Sequence, residues 1–432
     1  MATTKITNPD LFDIGSLDSS LRLPSGTEAQ RPASPSTGEW RYNTDSNTIE
    51  FWDGIKWRTL SEQDIPPTPS EHFNIVTWTG NGTSQSITGV GFQPDWVWGK
   101  ERSNTSSNEL LDTTRGATNY ISTNLSNAQG TSGQGLQSFD ADGFTVGNDG
   151  AWNQNGETYV AWCWKANGGT TSSNTDGSIT STVQANTKAG FSVVTATAPA
   201  SGVFTVGHGL NAEIDLYVIK NTSSTGGWIT YVRALGADKY IEINGTAGAG
   251  TSANFWNNTN PTSSVFTMNA GSVITGSSNF VAYCFASVVG YSKIGIYQGN
   301  GVPDGPLVVT GFEPALLIVK NTSGTSNWRM VDNKRNPLNH RQRTLFPNLS
   351  NAEANTTDDA VDFLSTGFKI SNDDDSWNKN ADQFLYIAFA SDPTAAPTLA
   401  DSFANKLYTG NATSNRAITG LGFSPSWVWI KN

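Results

Sequence analysis

Apolar residues in this chain come in short runs separated by Gly, Ser, Thr and Asn, and one run keeps returning. Gly91-Phe92-Gln93-Pro94-Asp95-Trp96-Val97-Trp98-Gly99-Lys100 recurs as Gly311-Phe312-Glu313-Pro314-Ala315-Leu316-Leu317-Ile318-Val319-Lys320. It recurs again as Gly422-Phe423-Ser424-Pro425-Ser426-Trp427-Val428-Trp429-Ile430-Lys431, and a copy without the proline ends Leu216-Tyr217-Val218-Ile219-Lys220. In a strand successive side chains point to opposite faces, so Trp96 and Trp98 share one face and Val97 takes the other. Both faces are apolar, which predicts a central strand covered on both sides.

The elements around this strand recur too. An opening strand precedes a Gly-Asn turn at Asn74–Gly82, Gly295–Gly301 and Lys406–Ala412. A shared Asn-Leu-Ser-Asn-Ala segment lies at 124–128 and 348–352, and Gly143-Phe144-Thr145-Val146 matches Gly367-Phe368-Lys369-Ile370. An aromatic closing strand ends each unit, around Trp162, Tyr283 and Ile387. Many short strands with turns between them predict an all-β fold of tandem β-sandwiches, jelly-roll or lectin-like in type.

The closing lysines Lys100, Lys220, Lys320 and Lys431 lie roughly 110 residues apart, a domain-sized period. The expected organisation is an arm at 1–25, a small β-meander module at 26–60 and a Pro-rich linker at 61–72. The first repeat follows at 73–166, a linker at 167–188, the second repeat at 189–289 and the third at 291–392. Residues 393–432 hold a linker and the start of a fourth repeat. A lone strand pair cannot bury its aromatics, so the protein is expected to continue or to be incompletely represented. Residues 73–166 are expected to fold alone.

Composition narrows the function. Charged residues make up 15% of the 432 residues, against about 25% in an average globular protein. The net charge is −11, and no Lys/Arg run exceeds two, which argues against a nucleic-acid partner. No apolar run reaches membrane-span length and the N-terminus lacks a signal-peptide core, so no membrane insertion and synthesis in a cytosol are expected. Cys163 and Cys284 occupy one repeat position, matched by Ala388, and read as buried strand sites rather than a disulfide or metal pair.

The module has its own signature. Glu39–Thr44, Thr48–Trp52 and Ile55–Leu60 read as three strands joined at Asp45-Ser46-Asn47 and Asp53-Gly54. The stretch from Arg31-Pro32 through Arg41-Tyr42-Asn43-Thr44-Asp45, Glu50-Phe51-Trp52-Asp53-Gly54 and Trp57 resembles a short module common in tail-fibre and other virion proteins of tailed bacteriophages. The repeats resemble domains of uncharacterised function in phage structural proteins, particularly of marine and cyanobacterial viruses. These resemblances imply a non-enzymatic virion structural protein, a tail fibre or fibre-like appendage made in the host cytoplasm. It would be trimeric and held to tail, adaptor or neck proteins through Phe12, Trp40, Tyr42, Phe51, Trp52 and Trp57. The sandwiches would project as a stalk toward the host surface. The alternatives are a carbohydrate-binding module array and a head or neck decoration.

The candidate glycan contacts are Asp149, Trp152 and Asn153 in one loop and Asp373, Trp377 and Asn378 in its partner, because an indole face suits a sugar ring and amides suit its hydroxyls. The competing expectation is that Trp and Asn pack beneath the loop. Asp373-Asp374-Asp375 is expected to be a solvated turn rather than a calcium site. Arg335–Arg343 is expected to be a solvated basic loop, and Asp112 and Arg115 to pair structurally. His72, His208 and His340 are too scattered for a metal site. No cofactor is expected, and no nucleophile elbow, P-loop or dinucleotide fingerprint is present.

Overall fold

A computed structural model describes residues 23–52, 54, 56–60, 66–356 and 359–392. In the last segment it describes residues 405–412, 414, 416–419, 421, 425 and 427–431. The fold is all-β, built of several packed sheets with two one-turn helices, Gly150–Asn153 and Asp375–Asn378.

Each repeat has one large and one small sheet. In the large sheet the closing strand lies between the opening strand and the strand after the Gly-Phe-x-Pro corner. In the first repeat these are Thr158–Trp164, Phe73–Thr79 and Trp96–Glu101. In the second they are Asn279–Phe285, Phe191–Thr197 and Leu216–Asn221. In the third they are Gln383–Ala390, Ser292–Gln298 and Pro314–Asn321. All pairings are antiparallel. The small sheet carries the Gly-Phe strand, Gly143–Val146 or Gly367–Ile370. Between the sheets lies a core private to each repeat: Val97, Phe144 and Cys163 in the first, Tyr217, Phe266 and Cys284 in the second, Leu317, Phe368 and Ala388 in the third. Both cysteines are buried and free.

The second apolar face of each large sheet has a different use. Trp96, Trp98, Trp162 and Trp164 join Leu216, Val218, Tyr283 and Phe285 and also Leu316, Ile318, Ile387 and Phe389 in one core shared by all three repeats. Cross-strand register places Trp162 opposite Trp98, Tyr283 opposite Val218 and Ile387 opposite Ile318. The repeats therefore form a closed ring around a common axis, not separate beads. The period-2 pattern was sound; it does not reveal whether the second covering layer is the repeat's own sheet or a neighbour's sheet.

Two further differences follow. Residues 167–188, expected as a linker, supply strands Ser172–Asn174 and Ser181–Asn186, which extend the second repeat's large sheet beyond its opening strand. The chain also enters and leaves the ring side by side, since Phe73 stacks on Phe389 with ring centroids 5.2 Å apart. Ala390 N–H then donates to the Tyr291 carbonyl (2.7 Å), and Tyr291 meets His72 edge-on.

The N-terminal module is a four-stranded sheet. Trp40–Asn43, Thr48–Trp52 and Trp57–Leu60 form the expected meander, and Ser25–Gly26 adds a parallel strand on the Trp40–Asn43 edge. Its buried face is polar: Glu50 accepts from Arg31 (2.6 Å) and Asn43 (3.1 Å) and lies 3.4 Å from Arg41. Hydrogen bonding from Arg31 holds the Glu50 carboxyl below its ordinary range. The residues of the fourth start form a separate unit with no strand among the described ones, and Leu407, Trp427 and Trp429 in it are exposed.

Candidate functional site

The loops expected to read sugars are clasps. Asp149 caps the first one-turn helix by accepting from Ala151 N–H (3.0 Å), and Asp374 caps the second by accepting from Ser376 N–H (2.8 Å). These turns drop Trp152 and Trp377 into the private cores, 1% and 0% exposed. Trp152 Nε1–H donates to Glu109 (2.6 Å), and Trp377 Nε1–H donates to Asp359 (2.8 Å). Burial pushes the Glu109 carboxyl up to about 7, with the charge of Asp149 adding to the effect.

Asn153 and Asn378 are wholly buried and bind the Gly-Asn-Gly turn of their own repeat. The Asn153 amide donates to the Gly147 carbonyl (2.7 Å), while its oxygen accepts from Asn81 N–H (2.9 Å). The Asn378 amide donates to the Asn372 carbonyl (2.9 Å), while its oxygen accepts from Asn300 N–H (2.8 Å). A Cβ on Gly80 or Gly299 would run into the backbone of the clasp loop, so the turn needs glycine there. Neither Trp152 nor Trp377 leaves an indole face for a sugar. Of the six residues named from sequence, Asp149 is half-buried as a cap and only Asp373 is exposed. The signal for the clasp was present in the sequence: Asp-x-x-Trp-Asn occurs only in the two repeats that also carry Gly-Asn-Gly.

Other expectations resolve similarly. Arg335 and Arg341, read as part of a solvated loop, are 5% and 4% exposed. Arg335 pairs with Asp332 (2.6 Å) and Glu353 (2.9 Å), because its guanidinium fills the polar space at a repeat boundary. Arg115 pairs with Asp112 in the same way (2.6 Å). Among the described residues no cluster of three metal-ligating side chains occurs. Of the attachment candidates, Trp40 stacks on Phe51 at 5.2 Å and is 43% exposed, and Trp52 meets Trp57 edge-on. Tyr42 is half-buried beside them, and Phe12 lies outside the described residues.

The most developed polar arrangement lies at the three seams of the ring. Two backbone bonds recur at each. Gly226 N–H donates to Ser126 O and Gln129 N–H to Thr222 O between the first and second repeats. Ser326 N–H to Thr246 O and Ala249 N–H to Thr322 O repeat this between the second and third, and Ser106 N–H to Ser350 O with Glu353 N–H to Arg102 O between the third and first. An Asn frames each seam: Asn124 and Asn348 of the shared segment, and Asn244 at the equivalent place in the second repeat, accept from the backbone N–H of Asn108, Trp328 and Trp228 respectively. Those three side chains then cross the seam. Trp228 Nε1–H reaches Ser122 O (2.9 Å), Trp328 Nε1–H reaches Glu242 O (2.9 Å), and Asn108 Nδ2–H reaches Phe346 O (3.0 Å).

Two of the repeated lysines belong to this frame, while Lys100 Nζ donates to the carbonyl of Glu101 in its own repeat. Lys220 Nζ donates to Ser126 O (2.9 Å) across a seam and Lys320 Nζ to Thr246 O (2.9 Å). Desolvation lowers Lys100, Lys220 and Lys320 alike, each to about 8. Closer to the axis the seams differ. Tyr283 OH donates to Asp112 (2.8 Å), and Trp162 Nε1–H donates to Asp332 (3.1 Å). The second repeat has Val232 at the equivalent place, and the third offers it the apolar Ile387. A donor thus faces an acid at two seams and a hydrocarbon faces a hydrocarbon at the other, which fixes the order of the repeats. On the axis itself a cavity of about 40 Å³ is lined by apolar surface from all three repeats, including Trp98, Trp228 and Trp328.

Fold and seams together define a three-sandwich β-ring whose repeated residues serve its own closure. The chain matches a protein family described as a domain of unknown function (DUF7483) over residues 68–393, and belongs to that family. The match takes in the whole ring. No curated protein matches the chain.

Proposed function

We propose that this protein is a structural component of a tailed-bacteriophage virion, a tail fibre or fibre-like appendage without enzymatic activity. Residues 26–60 attach it to tail, adaptor or neck proteins and join three copies, and the ring stands outward toward the host. The observation that carries the reading is the fusion of two parts: a small sheet bearing the virion-module residues Arg41, Tyr42, Asn43, Glu50 and Trp52, with Trp40 exposed, and a ring whose repeated Trp, Asn and Lys side chains are turned inward. A sheet of four short strands with a polar buried face is too small to stand alone, which supports a partner for its Trp40–Phe51 side. The carbohydrate-array reading loses its main support with Trp152 and Trp377 buried.

Cryo-electron microscopy of the source particle tests the proposal. Density for residues 26–60 on the tail or its adaptor, with three chains joined, is the expected result. Density on head or neck would make the protein a decoration, and its absence from the particle would refute the structural role.

A further inference from the structure

The ring has three seams, but the chain crosses only two of them. Residues 167–190 lead from the first repeat to the second, and residues 286–291 from the second to the third. The third and first repeats meet with no peptide link between them in the ring. A short tether keeps two faces at high effective concentration and makes them reclose quickly. The untethered seam lacks that help, and its residues differ accordingly.

Glu353 stands where the first repeat has Gln129 and the second has Ala249. Across the seam, Arg102 stands where the others have Thr222 and Thr322. Arg102 forms a two-pronged pair with Glu353, at 2.9 and 3.0 Å, and Arg335 completes the set at 2.9 Å. The side chain of Glu353 is about one-tenth exposed and that of Arg335 is fully buried. Among the described residues this is the only ion pair between repeats. Charge-assisted, bidentate bonds of this kind are the strong class.

We propose that the seam between the third and first repeats is the clasp of the ring. The ring opens and recloses there while the other two seams stay shut, and Arg102, Glu353 and Arg335 set how often. Opening exposes Trp98 and Trp162 of the axial core, the side chains lying behind this seam.

Hydrogen exchange on the full chain tests this through the six seam-crossing amides. In the native protein Ser106 and Glu353 should be the least protected of the six, with Gln129, Gly226, Ala249 and Ser326 more protected. Glu353→Gln should speed exchange at Ser106 by on the order of a hundredfold and leave the other two seams unchanged. Molar salt should move the unsubstituted protein the same way. Equal protection at all six amides, or an equal rise at all three seams, would overturn the proposal. The native ranking decides the matter even if the variant does not fold.

Discussion

Expressing residues 66–166 without the other two repeats leaves the axial face of the first large sheet bare. Phe73, Trp96, Trp98, Ile121, Trp162 and Trp164, each no more than 4% exposed in the ring, would meet water. At about 2–3 kcal/mol for burying each large apolar side chain, the lost burial is roughly 15 kcal/mol. A whole domain is stable by only about 5–15 kcal/mol. The private core of the repeat remains, but it is set against this loss together with the Trp162–Asp332 and Arg102–Glu353 bonds. The fragment is therefore expected to aggregate or stay loosely packed, with strong dye binding and no cooperative calorimetric transition, whereas residues 66–391 should melt as one unit. A soluble, monomeric fragment with a sharp transition would refute the shared-core argument and restore the independent sandwich that the repeat period suggests.

Three other outcomes are expected. Lys100, Lys220 and Lys320 sit near 8 when folded and near 10.4 when unfolded, so the unfolded chain holds more protons between those values and stability should rise with pH from 8 to 9.5 by about 1 kcal/mol per pH unit per lysine; chemical denaturation checks this, and Lys220→Met should remove its share. Burial lowers His208 to about 4, so stability should fall as pH drops from 6.5 toward 4 by about 3 kcal/mol, and His208→Gln should flatten that limb of the melting profile. Asn378→Ala should cost about 2–3 kcal/mol in thermal unfolding by stranding the Asn300 N–H and the Val302 carbonyl, and should leave binding in a glycan array unchanged.

Much of the fold was legible because period-2 alternation and turn residues act locally. The opening, corner and closing strands lie where the Gly-Asn turns and the Gly-Phe-x-Pro corners place them, and Cys163 and Cys284 are buried as their aromatic flanks imply. The ring was not legible. An apolar second face satisfies the same pattern whether its cover comes from within the repeat or from a neighbour, and the contact of Trp162 with Asp332 spans 170 positions. The clasp loops carried two readings because Trp-Asn beside Asp serves a sugar site and a helix cap equally well; the Gly-Asn-Gly turn packed against Asn153 decides for the packed one. The seam residues Lys220, Asn124 and Asn348 were visible as repeats, yet nothing local says that a buried ammonium will rest on carbonyls of the neighbouring repeat.

The stacking of Phe73 on Phe389 has a mechanical consequence. Tension pulling on the segments that flank residues 66–391 enters and leaves the ring where Phe73 and Phe389 stack, so the load path is short and bypasses two of the three seams. The ring then hangs from the line of force instead of lying in series with it. Its first response to load is peeling of the edge strand Phe73–Thr79 from Thr158–Trp164, one ladder bond at a time, while the rest of the ring remains slack.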